Sequence, residues 1–120
     1  ILLVEDEEMV RTMLSRLLSA EGYAVLLAED GRQGLRVLEQ RGGQVDLVIL
    51  DLVMPNLRGE ATLARIRDLY PRLKVLVSSG YADDATAQAL RAMGVQGLLP
   101  KPYDISTVLQ AVRQALQAEP

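Results

Sequence analysis

Val45-Asp46-Leu47-Val48-Ile49-Leu50, followed by Asp51-Leu52-Val53-Met54-Pro55, is a nearly continuous apolar run that stops at an acid and a turn residue. A run this short and this apolar is the pattern of a strand covered on both faces, as in a parallel sheet. Three further runs share the pattern: Ile1-Leu2-Leu3-Val4, Lys74-Val75-Leu76-Val77 and Gly97-Leu98-Leu99. Each is followed by polar chemistry: Glu5-Asp6 after the first, Ser78-Ser79 after the second, Lys101 after the third.

The segments between these runs have helical spacing. The first helix is expected over about Glu8–Ala20, with Met9, Val10, Met13, Leu14, Leu17 and Leu18 forming one apolar stripe. Gly22 ends it. The second strand is expected at Tyr23–Ala28 and the second helix at Arg32–Gln40, stopped by Gly42-Gly43. The third strand is read as Asp46–Leu50. The third helix spans Gly59–Leu69, with Leu63, Ile66 and Tyr70 on one side and Pro71 blocking its continuation. The fourth strand is Lys74–Ser78. The fourth helix, Asp83–Met93, is mostly Ala on its inward side, with Leu90 and Met93 as its large residues, and should dock weakly. The fifth strand is Gly97–Leu99, and the fifth helix runs over Ile105–Gln117. Strands alternating with helices predict an α/β domain with a parallel sheet and helices on both faces.

A length of 120 residues suits one domain with its own core. There is no Cys, which fits a cytoplasmic setting and excludes a disulfide scaffold. The chain has no run of the roughly 20 apolar residues that a membrane helix needs, so no membrane contact is expected. A net charge of −3, scattered basic residues and no Trp or Phe argue against direct nucleic-acid binding. The chain opens inside a strand without Met, so residues 1–120 are expected to be a domain-sized fragment of a longer protein.

In an open parallel sheet, ligands bind beyond the carboxyl ends of the strands. That places Glu5, Asp6, Asp51, Ser79 and Lys101 around one cleft. Glu5-Asp6 could merely favour a helix start, and Asp51 could be a turn residue ahead of Pro55. Together they suggest more. Crowded carboxylates repel, and a hard divalent cation such as Mg2+ relieves that repulsion while leaving positions for phosphate oxygens. A carboxylate can also act as a nucleophile toward phosphorus. Pro100-Lys101-Pro102 is a stiff segment that could hold an ammonium over the cleft.

The chain resembles the receiver domain of two-component response regulators. The resemblance covers essentially its whole length. It rests on Leu3-Val4-Glu5-Asp6-Glu7, Asp51-Leu52-Val53-Met54-Pro55 with Gly59, Ser79-Gly80-Tyr81-Ala82-Asp83 and Lys101-Pro102. The Ser-Gly-Tyr-Ala-Asp run is similar to receivers attached to hybrid sensor histidine kinases. The resemblance implies a flavodoxin-like (βα)5 doubly wound fold with strand order 2-1-3-4-5. It implies that Asp51 is phosphorylated by a histidine kinase or histidine phosphotransfer protein. Mg2+ (or Mn2+) would be held by Glu5, Asp6, Asp51 and the Val53 backbone carbonyl. Lys101 and Ser79, with Gly80 in the same loop, would bind the phosphoryl group, and the bond before Pro102 would be cis. The output domain or protein would lie outside this chain.

Four positions depart from the common family pattern. Glu5 stands where Asp is usual, Ser79 where Thr is commoner and Gly80 where Ala is common. Leu98 occupies a switch position that often carries an aromatic, so no aromatic rotamer switch is expected there. The helix 4–strand 5–helix 5 face is the expected output surface. Two other functions fit parts of the pattern. A haloacid dehalogenase-like phosphatase also uses a strand-end Asp, Mg2+ and a Lys, but needs a second acid where this chain has Val53. A silent receiver-like binding module would have lost an acid or the Lys, and this chain keeps them all.

Overall fold

The computed structural model describes residues 1–52, 59–79, 84–100 and 103–118. Along them run β1 (Leu2–Val4), α1 (Glu8–Ala20), β2 (Leu26–Ala28), α2 (Gly31–Gln40) and β3 (Val48–Asp51). Then come α3 (Gly59–Leu69), β4 (Val75–Ser79), α4 (Asp84–Ala92), β5 (Gly97–Pro100) and α5 (Ile105–Gln117). All strand pairs are parallel and the order is β2-β1-β3-β4-β5, the flavodoxin-like arrangement. The chain leaves β1 toward one edge and returns to build β3 on the other side. The crevice beyond the carboxyl ends of β1 and β3 is therefore the point where strand order reverses.

The apolar runs are continuous because both faces of the sheet are covered. Leu2, Val4, Val48, Leu50, Val75 and Val77 pack with Leu38 of α2, Leu63 and Ile66 of α3 and Leu90 of α4. Leu3, Ile49, Leu76 and Leu99 pack with Leu14 and Leu18 of α1 and with Val108 and Val112 of α5. Alternate residues of each strand serve opposite layers, as the two-residue period of a strand requires. Lys74 ties the end of α5 to the sheet, its ammonium donating to the Leu116 carbonyl at 2.9 Å.

Several boundaries differ from those expected, each for a visible reason. β2 begins at Leu26 rather than Tyr23. The ladder opens with Leu2 opposite Leu26, and residues 23–25 run past the start of β1. β3 is displaced toward its carboxyl end and takes in Asp51. That residue pairs with Ser78, and the Leu52 N–H continues the ladder to the Ser78 carbonyl at 3.0 Å. β4 correspondingly reaches Ser79, opposite Pro100.

The stripe on α1 is narrower than expected. Leu14 and Leu18 are buried, whereas Met9 is 85% and Met13 47% exposed. Ile105, in the first turn of α5, is 61% exposed. Met9 and Ile105 both open helices at the carboxyl edge of the sheet, where little strand surface remains to cover them. On α4, Leu90 is buried while Gln88, Ala89, Arg91 and Ala92 are exposed, in keeping with weak docking.

Gly42 and Gly43 both have positive φ, at 62° and 76°. A Cβ at Gly43 would come within 2.6 Å of the Tyr70 ring, whereas one at Gly42 would meet nothing within 4 Å. Gly43→Ala is expected to cost about 2–4 kcal/mol, combining left-handed strain with overpacking. Gly42→Ala should cost only the backbone share, about 1–2 kcal/mol. Urea unfolding of the two variants measures the difference. Equal losses would show that the Tyr70 ring yields without resistance.

Candidate functional site

Glu5 leaves β1 still in line with the sheet, its N–H donating to the Ala28 carbonyl at 3.0 Å. The chain then turns into α1. Arg11, one turn into that helix, reaches back to the loop. Its guanidinium donates to the Glu5 carbonyl at 2.9 Å and to the Asp6 carbonyl at 3.4 Å, and it lies 3.8 Å from the Glu29 carboxylate. The loop that carries two acids is thus pinned through its backbone by a residue of the following helix.

A helix-capping role does not account for these acids. The N-cap of α1 is Glu7, which makes no side-chain cap bond. Glu5 Oε1 accepts the Glu7 N–H at 3.4 Å, outside the helix. Among the described residues, the side chains that cap helices are Asp30, which accepts the Gln33 N–H at 2.8 Å, and Asp104, which accepts from Thr107. Neither belongs to the cleft.

Glu5, Asp6 and Asp51 instead converge: one carboxylate oxygen from each lies within 4.8 Å of the others. Glu5 and Asp51 are 1% and 2% exposed, and Asp6 is exposed at the mouth. The donor set suits a hard divalent cation. Two ligand oxygens of an octahedral Mg2+ stand about 3–4 Å apart, so small side-chain shifts would bring the three into range. Burial strengthens the mutual repulsion of such carboxylates, and with it the attraction for a cation.

Asp51 is held more firmly than a turn residue would be, because it is the last ladder residue of β3. Beside it, Ser78 is fully buried on β4, and its hydroxyl shares a short hydrogen bond with the Tyr103 hydroxyl. This bond ties the segment just after Lys101-Pro102 to the strand next to Asp51. Tyr103 follows Pro102 directly, but its sequence position gives no sign of its partner. Arg11 and Tyr103 are the supporting residues that the motif reading missed.

Of the other expected site residues, Ser79 ends β4 and Leu98 lies on β5 opposite Val77, partly buried against the core. Val53, Gly80, Lys101 and Pro102 lie outside the described residues, and with them the expected cis bond.

Arg67 fixes the far end of α4. Its guanidinium donates to the carbonyls of Met93 at 2.7 Å, Gly94 at 2.9 Å, Leu73 at 2.6 Å and Pro71 at 3.3 Å. Desolvation by burial pulls it below the usual Arg value. The cation meets the carbonyl-rich end of α4, where the helix dipole favours positive charge. The carboxyl end of α4 is therefore clamped to the α3–β4 connection.

Comparison with known proteins agrees with this arrangement. Residues 1–113 match the family model described as the response regulator receiver domain. The chain is 40% identical over 119 residues to the sensor kinase CckA of Brucella abortus, covering 99% of this chain and 13% of that protein. It is 37% identical over 117 residues to the transcriptional regulatory protein GlrR of Escherichia coli, covering 98% of this chain and 26% of that one. It therefore spans only a small part of these relatives. The crystal structure of a response regulator receiver domain protein from Clostridium thermocellum superposes with a TM-score of 0.88 at 29% identity. That match covers 96% of this chain and 91% of the other. With five parallel strands in this order and three acids at the switch point, the chain belongs to the response regulator receiver domain family, whose members are phosphoacceptor switches of two-component signalling rather than conventional enzymes.

Proposed function

We propose that Asp51 is the phosphoacceptor, that Glu5, Asp6, Asp51 and the Val53 carbonyl hold Mg2+, and that Lys101 and Ser79 bind the phosphoryl group. The convergence of three carboxylates within 4.8 Å, one of them the final ladder residue of β3, carries this reading. A carboxylate oxygen of Asp51 attacks the phosphorus of a partner phosphohistidine. The new O–P bond forms as the P–N bond breaks, and the imidazole leaves with the electron pair. Bound Mg2+ would neutralise charge on the transferring group. The ladder bonds around Asp51 hold the nucleophile in place, and Arg11 holds the loop that carries Glu5 and Asp6. The donor is a histidine kinase or a histidine phosphotransfer protein. Met9, Met13 and Ile105 expose apolar surface beside the cleft, where such a donor must approach to reach Asp51.

The similarity to a sensor kinase supports a hybrid histidine kinase as the parent chain, with a cytoplasmic location. Among the described residues no helix is long and apolar enough to cross a membrane.

The output face is α4, β5 and α5. Arg67 clamps the carboxyl end of α4, and few of that helix's described side chains are buried, so a charge gained at Asp51 can bias its amino-terminal half. Beryllofluoride with Mg2+ should change amide exchange over residues 80–104. Lys101→Ala should remove that change while leaving Mg2+ affinity within about threefold, a difference of less than 1 kcal/mol. An unaltered exchange response in Lys101→Ala would reduce Lys101 to a turn residue. No response in the parent protein would remove the output face from the proposal.

A further inference from the structure

The helical layer opposite α1 and α5 carries a groove of about 720 Å3 between α2 and α3. Its rim bears Arg32 and Arg36 from α2 and Arg65 from α3, all exposed. Among the described residues none of the three is in an ion pair or hydrogen-bonded. Arg32 and Arg36 are one helical turn apart, a like-charge spacing that costs an isolated helix about 0.2–0.5 kcal/mol. The one carboxylate lining the groove is Glu39, so the rim carries a surplus of two positive charges on a chain of net charge −3. The floor is apolar, formed by Leu35, Leu69 and Tyr70, and Leu69 is 56% exposed. That floor is pre-formed, because the Tyr70 ring lies against Gly43 where a Cβ would stand.

We propose that this groove docks an acidic amphipathic helix of a partner protein, and does so regardless of the phosphoryl state of Asp51. Two side-by-side helices leave a trough about 10 Å long from Arg32 to Glu39, two turns of a third helix. An apolar stripe on that helix would cover Leu35, Leu69 and Tyr70. Its flanking Glu or Asp rows would meet the three guanidiniums, the usual division between apolar anchor and charged rim. A small free anion would leave the apolar floor uncovered. A nucleic acid would be repelled by the chain's net charge, and the Tyr70 ring in the floor is only partly exposed for stacking. A flat membrane does not enter a trough. Neither α1 nor α5 of a second copy offers a matching face: α1 carries Arg11 and Arg16 behind Glu8, and α5 contains no acid. The groove lies on the opposite layer from α1 and α5, and no described residue of α4 or β5 lines it, so a partner here leaves donor and output faces free.

The test uses the 15N-labelled chain and a stapled helical peptide of about four turns, with Leu along one stripe and Glu on both flanks. Saturable amide shifts are expected over residues 31–40 and 65–70, with the same affinity whether or not beryllofluoride and Mg2+ are present. Arg32→Glu with Arg36→Glu should weaken binding on the order of tenfold or more. The fold should persist, because both sites are exposed and an acid suits the first turn of α2. A peptide with Lys in place of Glu should not bind. Absence of saturable shifts, shifts centred on another face, or equal binding by the Lys peptide or the double variant would overturn the proposal. So would displacement of the peptide from the groove by inorganic phosphate, phosphatidylglycerol vesicles or single-stranded DNA at lower concentration. Concentration-dependent dimers that bury the groove would do the same.

Discussion

Asp51→Asn should abolish phosphoryl labelling, a loss of more than about 1000-fold, while the protein stays folded. An amide oxygen is far less nucleophilic than a carboxylate oxygen, and its adduct with phosphorus has no stable form under these conditions. The size is nearly conserved at a site that is only 2% exposed, so packing is retained. Removing one charge from three converging carboxylates also relieves repulsion, so the melting temperature should hold or rise. Phosphotransfer from a labelled histidine kinase and a thermal melt measure both halves. Normal labelling of the variant would move the acceptor elsewhere.

The second large effect is expected at the exposed acid. Asp6→Asn should weaken Mg2+ binding by at least 10–100-fold, roughly what loss of even an outer-shell partner costs a metal site. Labelling at sub-millimolar Mg2+ should fall in step and recover partly as Mg2+ is raised. EDTA should stop labelling of the parent protein altogether. Asp68→Asn, an exposed acid on α3, serves as the control and should behave as the parent does. Calorimetric Mg2+ titration separates the two variants. Equal Mg2+ affinity in both would leave Asp6 with no part in the metal site.

Much of this could be read along the chain because the sheet is parallel and covered on both faces. Val48-Ile49-Leu50 read as a buried strand, and Asp51 after it, like Glu5-Asp6 after the first run, fell at the carboxyl edge of the sheet. Helix limits were legible where the chain carries a stop: Gly22 after α1 and Pro71 after α3. Strand limits were not, because they depend on how far the neighbouring strand extends. Asp51 joined β3 because Ser78 of β4 stands opposite it in the ladder, and Tyr23 lay outside β2 because the ladder with β1 starts at Leu26. The chemical residues were visible because their types are costly at a strand end without a purpose. Their supports were not. Nothing in Arg11 says that it will turn back to two carbonyls, nor in Tyr103 that its hydroxyl will meet Ser78. Such contacts depend on three-dimensional neighbours. The apolar stripe on α1 misled for the same reason, since Met9 lies beyond the surface that helical spacing assigned to it.

The most direct test of Asp51 as a self-modifying switch is to mix the chain with Mg2+ and acetyl phosphate, follow its intact mass and assay free phosphate. A single phosphoryl adduct mapped to Asp51, lost on adding hydroxylamine and unformed in EDTA, is the expected result. Sustained multiple turnover of acetyl phosphate without an adduct, or no adduct at all, would contradict it.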